Sequence, residues 1–83
     1  MKELERVTKN FLSEWLQKTV KKYITVMNGD DNGHLHDLVI TGVEKPLLEE
    51  VLKETNGNQT QAANILGINR NTLRKKMQEY NLL

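Results

Sequence analysis

The side chains best suited to chemistry lie in the last 27 residues, which read GNQTQAANILGINRNTLRKKMQEYNLL. Arginine can form two hydrogen bonds with guanine and asparagine two with adenine, so these residue types at the exposed start of a helix can read bases in the major groove of DNA. Asn69, Arg70 and Asn71 stand where such a helix is predicted to begin. The cations that follow on the same helix can neutralise phosphates: Arg74, Lys75 and Lys76.

Positive charge is concentrated in the same segment. Lys and Arg number eight against ten acidic residues over 1–55, a net charge of −2, and four against one over 56–83, a net charge of +3. The helix dipole alone can favour an RKK run near a helix C-terminus. The turn glycine Gly67, the small pair Ala62 and Ala63 before it, and the capped helix after it favour nucleic-acid binding over that simpler interpretation.

Two helices are predicted upstream of this segment. Apolar residues recur every three or four positions over residues 2–27, which indicates an amphipathic helix with a wide apolar face. The sequence NGDDNG, residues 28–33, favours a turn. A second helix is predicted from about Leu35, with a kink at Pro46, to residues 56–57. Its predicted buried residues are Leu35, Leu38, Val39, Val43, Leu47, Val51 and Leu52.

A short third helix is predicted over about residues 59–66. Gly57 can take the left-handed conformation that closes the preceding helix, and Asn58 can then cap the third, with Gln61 at the capping-box position. Amides near Asn58 and Thr60 would form a phosphate site at the helix N-terminus. Ala62 and Ala63 would permit close approach of another helix, and Ile65 and Leu66 are expected to face the core.

A tight turn is predicted between the third and fourth helices. Gly67 ends the third helix, Ile68 fills the turn and Asn69 caps the fourth helix. Leu73 and Met77 are the only residues of the fourth helix that are predicted to face the core.

The chain is predicted to be all-α, because it has one proline, few aromatic residues and regular apolar spacing. A core built by 83 residues supplies little stability, and a chain without cysteine has neither disulfides nor thiolate metal sites to add to it. Self-association is therefore expected. Residues 1–55 are assigned to dimerisation and residues 56–83 to a DNA-binding head. The expected dimer interface contains Leu12, Trp15, Leu16, Val20, Leu38, Val39 and Val43.

The segment GNQTQAANILGINRNTLRKK resembles the helix-turn-helix of the Fis family, and it is similar to the C-terminal DNA-binding domain of NtrC-type activators of sigma-54 promoters. The resemblance extends upstream through DLVITGVEKPLLEEVL and Asn28-Gly29, and it covers about residues 12–83. It implies a subunit of four helices whose first two helices interlock with those of a twin as a dimer core. It also implies that the last helix of each subunit enters the major groove.

The same resemblance implies particular contacts with DNA. Asn69 and Arg70 would reach bases, and the dimer would bend DNA because its recognition helices are set closer than the ~34 Å between successive major grooves. Gln61 stands where a family member can have a basic residue, and Asn71 where one can have glycine. These differences would remove one phosphate contact and alter base preference. The residues implied to contact the DNA backbone are Asn58, Thr60, Thr72, Arg74, Lys75 and Lys76.

The sequence leaves open whether the chain is a free-standing Fis-like protein or the terminal module of an NtrC-type activator with ATPase and receiver domains upstream. A structural dimerisation module, whose basic tail serves solubility, is the alternative from another class. The predicted partners are double-stranded DNA and a second copy of the chain. No apolar run approaches the ~20 residues of a membrane span, so a cytoplasmic location is expected. The resemblance to the Fis family implies association with the nucleoid.

No catalytic or metal site is expected. His34 and His36 have no nearby third ligand other than Asp37, so a metal-dependent loop is the weaker interpretation. Asp30 and Asp31 lack the glycine and terminal glutamate of a calcium loop. No nucleophile stands beside a base. We therefore expect no metal, no cofactor and no small-molecule substrate.

Overall fold

The computed structural model describes residues 1–27 and 33–83, and all its regular structure within those ranges is α-helical. Its four helices are α1 (Lys2–Met27), α2 (Leu35–Glu54), α3 (Gln59–Leu66) and α4 (Arg70–Glu79). The all-α prediction is thus confirmed, and so are the predicted bounds of α1 and α3. The turn predicted over NGDDNG falls on residues 28–32, which lie outside the described residues, and on Gly33, which has a φ of +93°.

The chain forms two compact units, Met1–His34 and Leu35–Leu83. The first unit contains the single helix α1. No residue of α1 is buried, and its large apolar side chains Leu12, Trp15 and Leu16 are exposed. The predicted amphipathic helix is therefore present, but its apolar face has no cover within this unit.

The second unit has a small core where α3 packs between α2 and α4. Ala62 and Ala63 of α3 are buried, and their short side chains let neighbouring helices approach closely. Leu48 of α2 and the pair Leu73 and Met77 of α4 complete the buried set, as predicted for α4. The side chains packed around this core are Val51, Leu52, Leu66, Ile68, Tyr80 and Leu82.

Leu47 and Ile65, both predicted to be buried, are exposed instead. Leu47 is 50% exposed, and its neighbour Leu48 takes the core position, at 2%. Successive helical residues differ by about 100° around the axis, and in α2 it is Leu48 that is turned toward the core while Leu47 is turned away from it. Ile65 is 61% exposed for the same reason. The buried face of α3 contains Ala62, Ala63 and Leu66, and Ile65 projects beside that face.

The other residues predicted to be buried on α2 have different surroundings. Val51 and Leu52 pack against the core, as expected. Leu38 and Val43, which were predicted both as buried residues of α2 and as dimer-interface residues, are exposed in one chain. Leu35 and Val39 are half-buried. The residues closer to the core are those in the second half of α2, because only that half lies beside α3.

α2 continues through Pro46 and ends at Glu54, two residues before the predicted end. Asn56 and Gly57 are left-handed, with φ values of 53° and 80°, and the amide of Gly57 donates to the carbonyl of Leu52 over 2.8 Å. The buried hydroxyl of Thr55 donates to the Val51 carbonyl over 2.9 Å. These bonds satisfy carbonyls at the end of α2 and turn the chain into α3.

Candidate nucleic-acid interface

The N-terminus of α3 is fixed by the predicted cap. The Asn58 side chain accepts a hydrogen bond from the amide of Gln61 over 3.0 Å. The amide of Asn58 donates to the Thr55 carbonyl over 3.0 Å, so this donor is satisfied by the preceding turn. Asn58 and Thr60 are both exposed beside the cap. The start of α3 therefore presents amides and short polar side chains to the exterior.

The turn between α3 and α4 has the geometry that the sequence predicted. Gly67 has a φ of 74° and donates to the Ala63 carbonyl over 2.9 Å, which closes α3. Ile68 packs against the core, and Asn69 caps α4 by accepting from the Asn71 amide over 2.7 Å. Since that cap uses the side-chain oxygen of Asn69, its NH₂ group is the part that remains for another partner.

α4 is anchored on one face and polar on the others. Leu73 and Met77 are 0% and 4% exposed, and they are the buried residues of this helix. The residues around them that sequence analysis assigned to DNA are exposed: Asn69, Arg70, Asn71, Thr72, Arg74 and Lys75. The structure thus brings these six candidates onto one helix whose inner face is already occupied.

One contact joins the two groups of candidate phosphate ligands. The guanidinium of Arg74 donates to the side-chain oxygen of Gln59 over 3.4 Å. Gln59 is the first residue of α3, so Arg74 lies beside the Asn58 cap. α4 and the N-terminus of α3 therefore contribute to one continuous polar surface.

Sequence analysis missed a cluster formed by Glu44, Lys76 and Tyr80. The ammonium of Lys76 lies 3.0 Å from one carboxylate oxygen of Glu44 and 3.2 Å from the other. The hydroxyl of Tyr80 donates to the Glu44 carboxylate over 2.6 Å. Glu44 is 32 and 36 residues from these partners, so no local spacing could have revealed the cluster. Lys76 alone among the candidate phosphate ligands is paired with an acid in the described part of the chain.

The cluster shifts the pKa values of two of its members. The hydrogen bond from Tyr80, and then that from Lys76, lower the pKa of Glu44 below its ordinary value, because both bonds favour the carboxylate. The same bond to Glu44 raises the pKa of Tyr80 to about 12, because the phenol must donate its proton to keep the bond. Glu44 is therefore a carboxylate at neutral pH, and Tyr80 is a neutral phenol.

The structure places the remaining candidates elsewhere. Val20 and Val39 are half-buried, and the other expected dimer residues are exposed: Leu12, Trp15, Leu16, Leu38 and Val43. No three His, Cys, Asp or Glu side chains within residues 1–27 and 33–83 are close enough to hold a metal ion, so His34, His36 and Asp37 form no such group. Asp30 and Asp31 lie outside the described residues. No helix in those ranges is long and apolar enough to cross a membrane.

Two capped helices around a left-handed glycine, with the second helix polar outward, define a helix-turn-helix protein. A family model described as "Bacterial regulatory protein, Fis family" matches residues 40–80, which include α3, α4 and most of α2. The chain is 44% identical over 78 residues to the DNA-binding protein Fis of Proteus mirabilis, and equally to that of Escherichia coli O1:K1 / APEC. Its identity to that of Aliivibrio fischeri is 41%. Each alignment covers 94% of this chain and 80% of the relative, so the chain belongs to the Fis family.

The Glu44 cluster generates a prediction about pH. Because the folded-state pKa of Glu44 is lowered, its ionisation stabilises the fold above about pH 4.5, and that contribution is lost as pH falls further. The difference in the free energy of unfolding between wild type and Glu44→Gln should therefore be largest near neutrality and shrink in acid. Because the pKa of Tyr80 is raised, its contribution should be lost as pH rises from 10 to about 12.

Urea unfolding at fixed protein concentration across this pH range measures both effects. Glu50→Gln, on the exposed surface of the same helix, is the matched control for the loss of one negative charge. A wild-type minus Glu44→Gln difference that stayed constant into acid would contradict the assignment of the cluster as a stabilising contact.

Proposed function

We propose that this protein is a homodimeric DNA-binding regulator of transcription that inserts α4 into the major groove of double-stranded DNA. The observation that carries the proposal is the arrangement of α4, which is anchored by Leu73 and Met77 and exposes a basic, asparagine-rich start. The relatives in the Fis family have the name DNA-binding protein, which supports the same function. A regulator of this kind would be associated with the nucleoid.

The proposed base-reading residues are the N-cap residue Asn69 and, in the first turn of α4, Arg70 and Asn71. Recognition helices contact base edges mainly through their N-terminal residues, and all three are exposed. Arg70 has the stronger chemistry for discrimination, because its guanidinium can donate two parallel hydrogen bonds to guanine. Asn69 would contact a base through its NH₂ group while its oxygen caps the helix.

The residues proposed to contact the DNA backbone surround the base-reading residues at the start of α4. Arg74 and Lys75 supply charge, and Arg74 is held beside α3 by Gln59. The start of α3 supplies uncharged donors, because the N-terminus of a helix attracts phosphate through its amides and dipole. The uncharged members of the proposed set are Asn58, Thr60 and Thr72. In the free protein the ammonium of Lys76 is paired with Glu44.

The dimer is proposed from the apolar surface that one chain leaves uncovered. Trp15 is 45% exposed, and Leu16, Val20 and Ile24 line an open groove along α1. On the first half of α2, Leu38 and Val43 are also exposed. A second copy has the same apolar residues, so pairing of these faces would hide them in both subunits. Residues 1–55 would then serve dimerisation and residues 56–83 DNA binding.

The proposal favours a free-standing Fis-like protein over the terminal module of an NtrC-type activator. The relatives are named DNA-binding protein Fis, and the aligned part of this chain spans 80% of their length. ATPase and receiver domains are therefore not needed to account for the similarity.

Two substitutions on α4 separate base reading from phosphate binding. Arg70→Ala should weaken a preferred site by about 1–3 kcal/mol relative to random-sequence DNA, because it removes a bidentate base contact. Lys75→Ala should weaken both DNAs alike and lower the salt slope of binding by roughly one, because it removes a phosphate contact. Anisotropy titrations over a range of salt concentrations, with a site selected from random duplexes by wild type, measure both.

Equal losses on every sequence for Arg70→Ala would rule out base reading by this residue. A wild-type protein whose binding does not strengthen as salt falls would favour the structural dimerisation module instead.

The proposed dimer predicts stability that depends on concentration. Dimer formation stabilises the folded state by mass action, so the melting temperature should fall when the protein is diluted a hundredfold. Trp15→Ala should lower the melting temperature at a given concentration, because it removes a large apolar contact from the proposed interface. Lys18→Ala, an exposed position on the same helix, is the control. A monomer mass in sedimentation, with a melting temperature independent of concentration, would contradict the dimer.

Bending of DNA is the third part of the proposal. It rests on Fis-family resemblance: two recognition helices set closer than ~34 Å can enter successive major grooves only if the duplex curves toward the protein. Sites whose centres compress easily should then bind better, which favours AT-rich centres over GC-rich ones. Circular-permutation electrophoresis with both kinds of centre measures the bend. Mobility that is independent of site position, or equal affinity for both centres, would indicate binding to straight DNA.

A further inference from the structure

Glu44 is an acid in direct contact with the basic helix α4. Its Oε1 accepts hydrogen bonds from the Lys76 ammonium and the Tyr80 hydroxyl, and its Oε2 lies 3.0 Å from the same ammonium. Only a quarter of the Glu44 side chain is exposed. We propose that Glu44 is a counter-charge that withholds Lys76 from DNA phosphates and so limits sequence-independent affinity. This inference rests on the proposed DNA-binding function and assigns a regulatory role to an α2 residue outside the helix-turn-helix.

The geometry pairs the positive charge of Lys76 with the carboxylate of Glu44. Both carboxylate oxygens lie within 3.2 Å of the ammonium, and the lysine side chain is 31% exposed, so the pair is partly shielded from water. A phosphate that approached Lys76 would have to displace this carboxylate or come close to its negative charge. Each course costs free energy that a phosphate contact with an unpaired lysine does not.

Tyr80 makes the carboxylate a stable partner. Its ring packs against the core of the second unit, and its hydroxyl holds one oxygen of Glu44 at 2.6 Å. Glu44 is therefore held by a residue at the end of α4 as well as by Lys76. Loss of the lysine contact alone would leave the carboxylate in place beside the helix.

Lys75 shows the contrasting arrangement on the same helix. It is exposed, and within the described ranges no side-chain hydrogen bond or ion pair involves it. Two adjacent lysines thus differ in the charge that they can offer to DNA. The RKK run, which the sequence presents as three equivalent cations, contains one whose charge is already balanced.

Counterion release gives this difference a measurable form. Each phosphate neutralised by a protein cation contributes about 0.9 to the slope of log affinity against log salt. Glu44→Gln keeps an acceptor for Tyr80 and removes the charge, so it should free Lys76 to neutralise a phosphate. The slope should steepen by about 0.9 for each Lys76 engaged, and affinity for DNA of any sequence should rise by up to about tenfold at 0.1 M salt.

The decisive comparison uses the double variant Glu44→Gln/Lys76→Gln, which removes both charges and leaves the net charge unchanged. If Lys76 neutralises no phosphate while it is paired with Glu44, this variant should match wild type in salt slope and in affinity for a short duplex of mixed sequence. Adding Lys76→Gln should also abolish the gain produced by Glu44→Gln. Glu50→Gln controls for general loss of negative charge on α2 and should reproduce none of the steepening.

Two results would overturn the inference: an unchanged slope for Glu44→Gln, or a double variant whose slope is shallower than that of wild type by about 0.9. The second result would show that Lys76 already contacts phosphate in wild type. Thermal melting verifies that each variant folds. If Glu44→Gln does not fold, the salt slope of the double variant by itself decides whether Lys76 contacts phosphate in wild type. If wild type shows no salt-dependent binding, the proposed function itself fails, which is a separate outcome.

Discussion

The helix-turn-helix depends on the burial of two α4 side chains against two alanines of α3. Leu73 and Met77 are the buried residues of a ten-residue helix that is otherwise polar, and Ala62 and Ala63 give them room. A helix of this length has little stability in water by itself, so its tertiary contacts determine where it lies. Larger side chains at the alanine positions would push α4 outward and move every residue of its exposed face.

Much of this arrangement could be predicted from the sequence, because it depends on local features. Asn58 and Asn69 cap their helices through bonds to residues two or three positions away, and Gly67 closes α3 with a left-handed φ. These requirements are properties of a few consecutive residues. The bounds of α1 and α3 follow from similar local patterns of apolar spacing and turn residues.

Other features required knowledge of what lies opposite each residue. Leu47 and Leu48 are identical in type and adjacent in sequence, so only the position of α3 shows which of them is buried. The contact of Glu44 with α4 joins residues far apart in the sequence, and the RKK run gives no sign of it. The interface on α1 and early α2 was predicted from apolar content and family resemblance, and its side chains are exposed or half-buried in one chain.

The continuity of α2 has a mechanical consequence. Its 20 residues form one continuous helix of about 30 Å, with uncovered apolar residues in the first half and the core residue Leu48 in the second. Pro46 lies between these halves without ending the helix. In the proposed dimer the length and tilt of α2 would set the distance between the two α4 helices. A small change in the angle of α2 at the proposed interface would produce a larger displacement of α4 at the other end of the helix. The groove spacing that the protein accepts would then depend on residues that do not touch DNA.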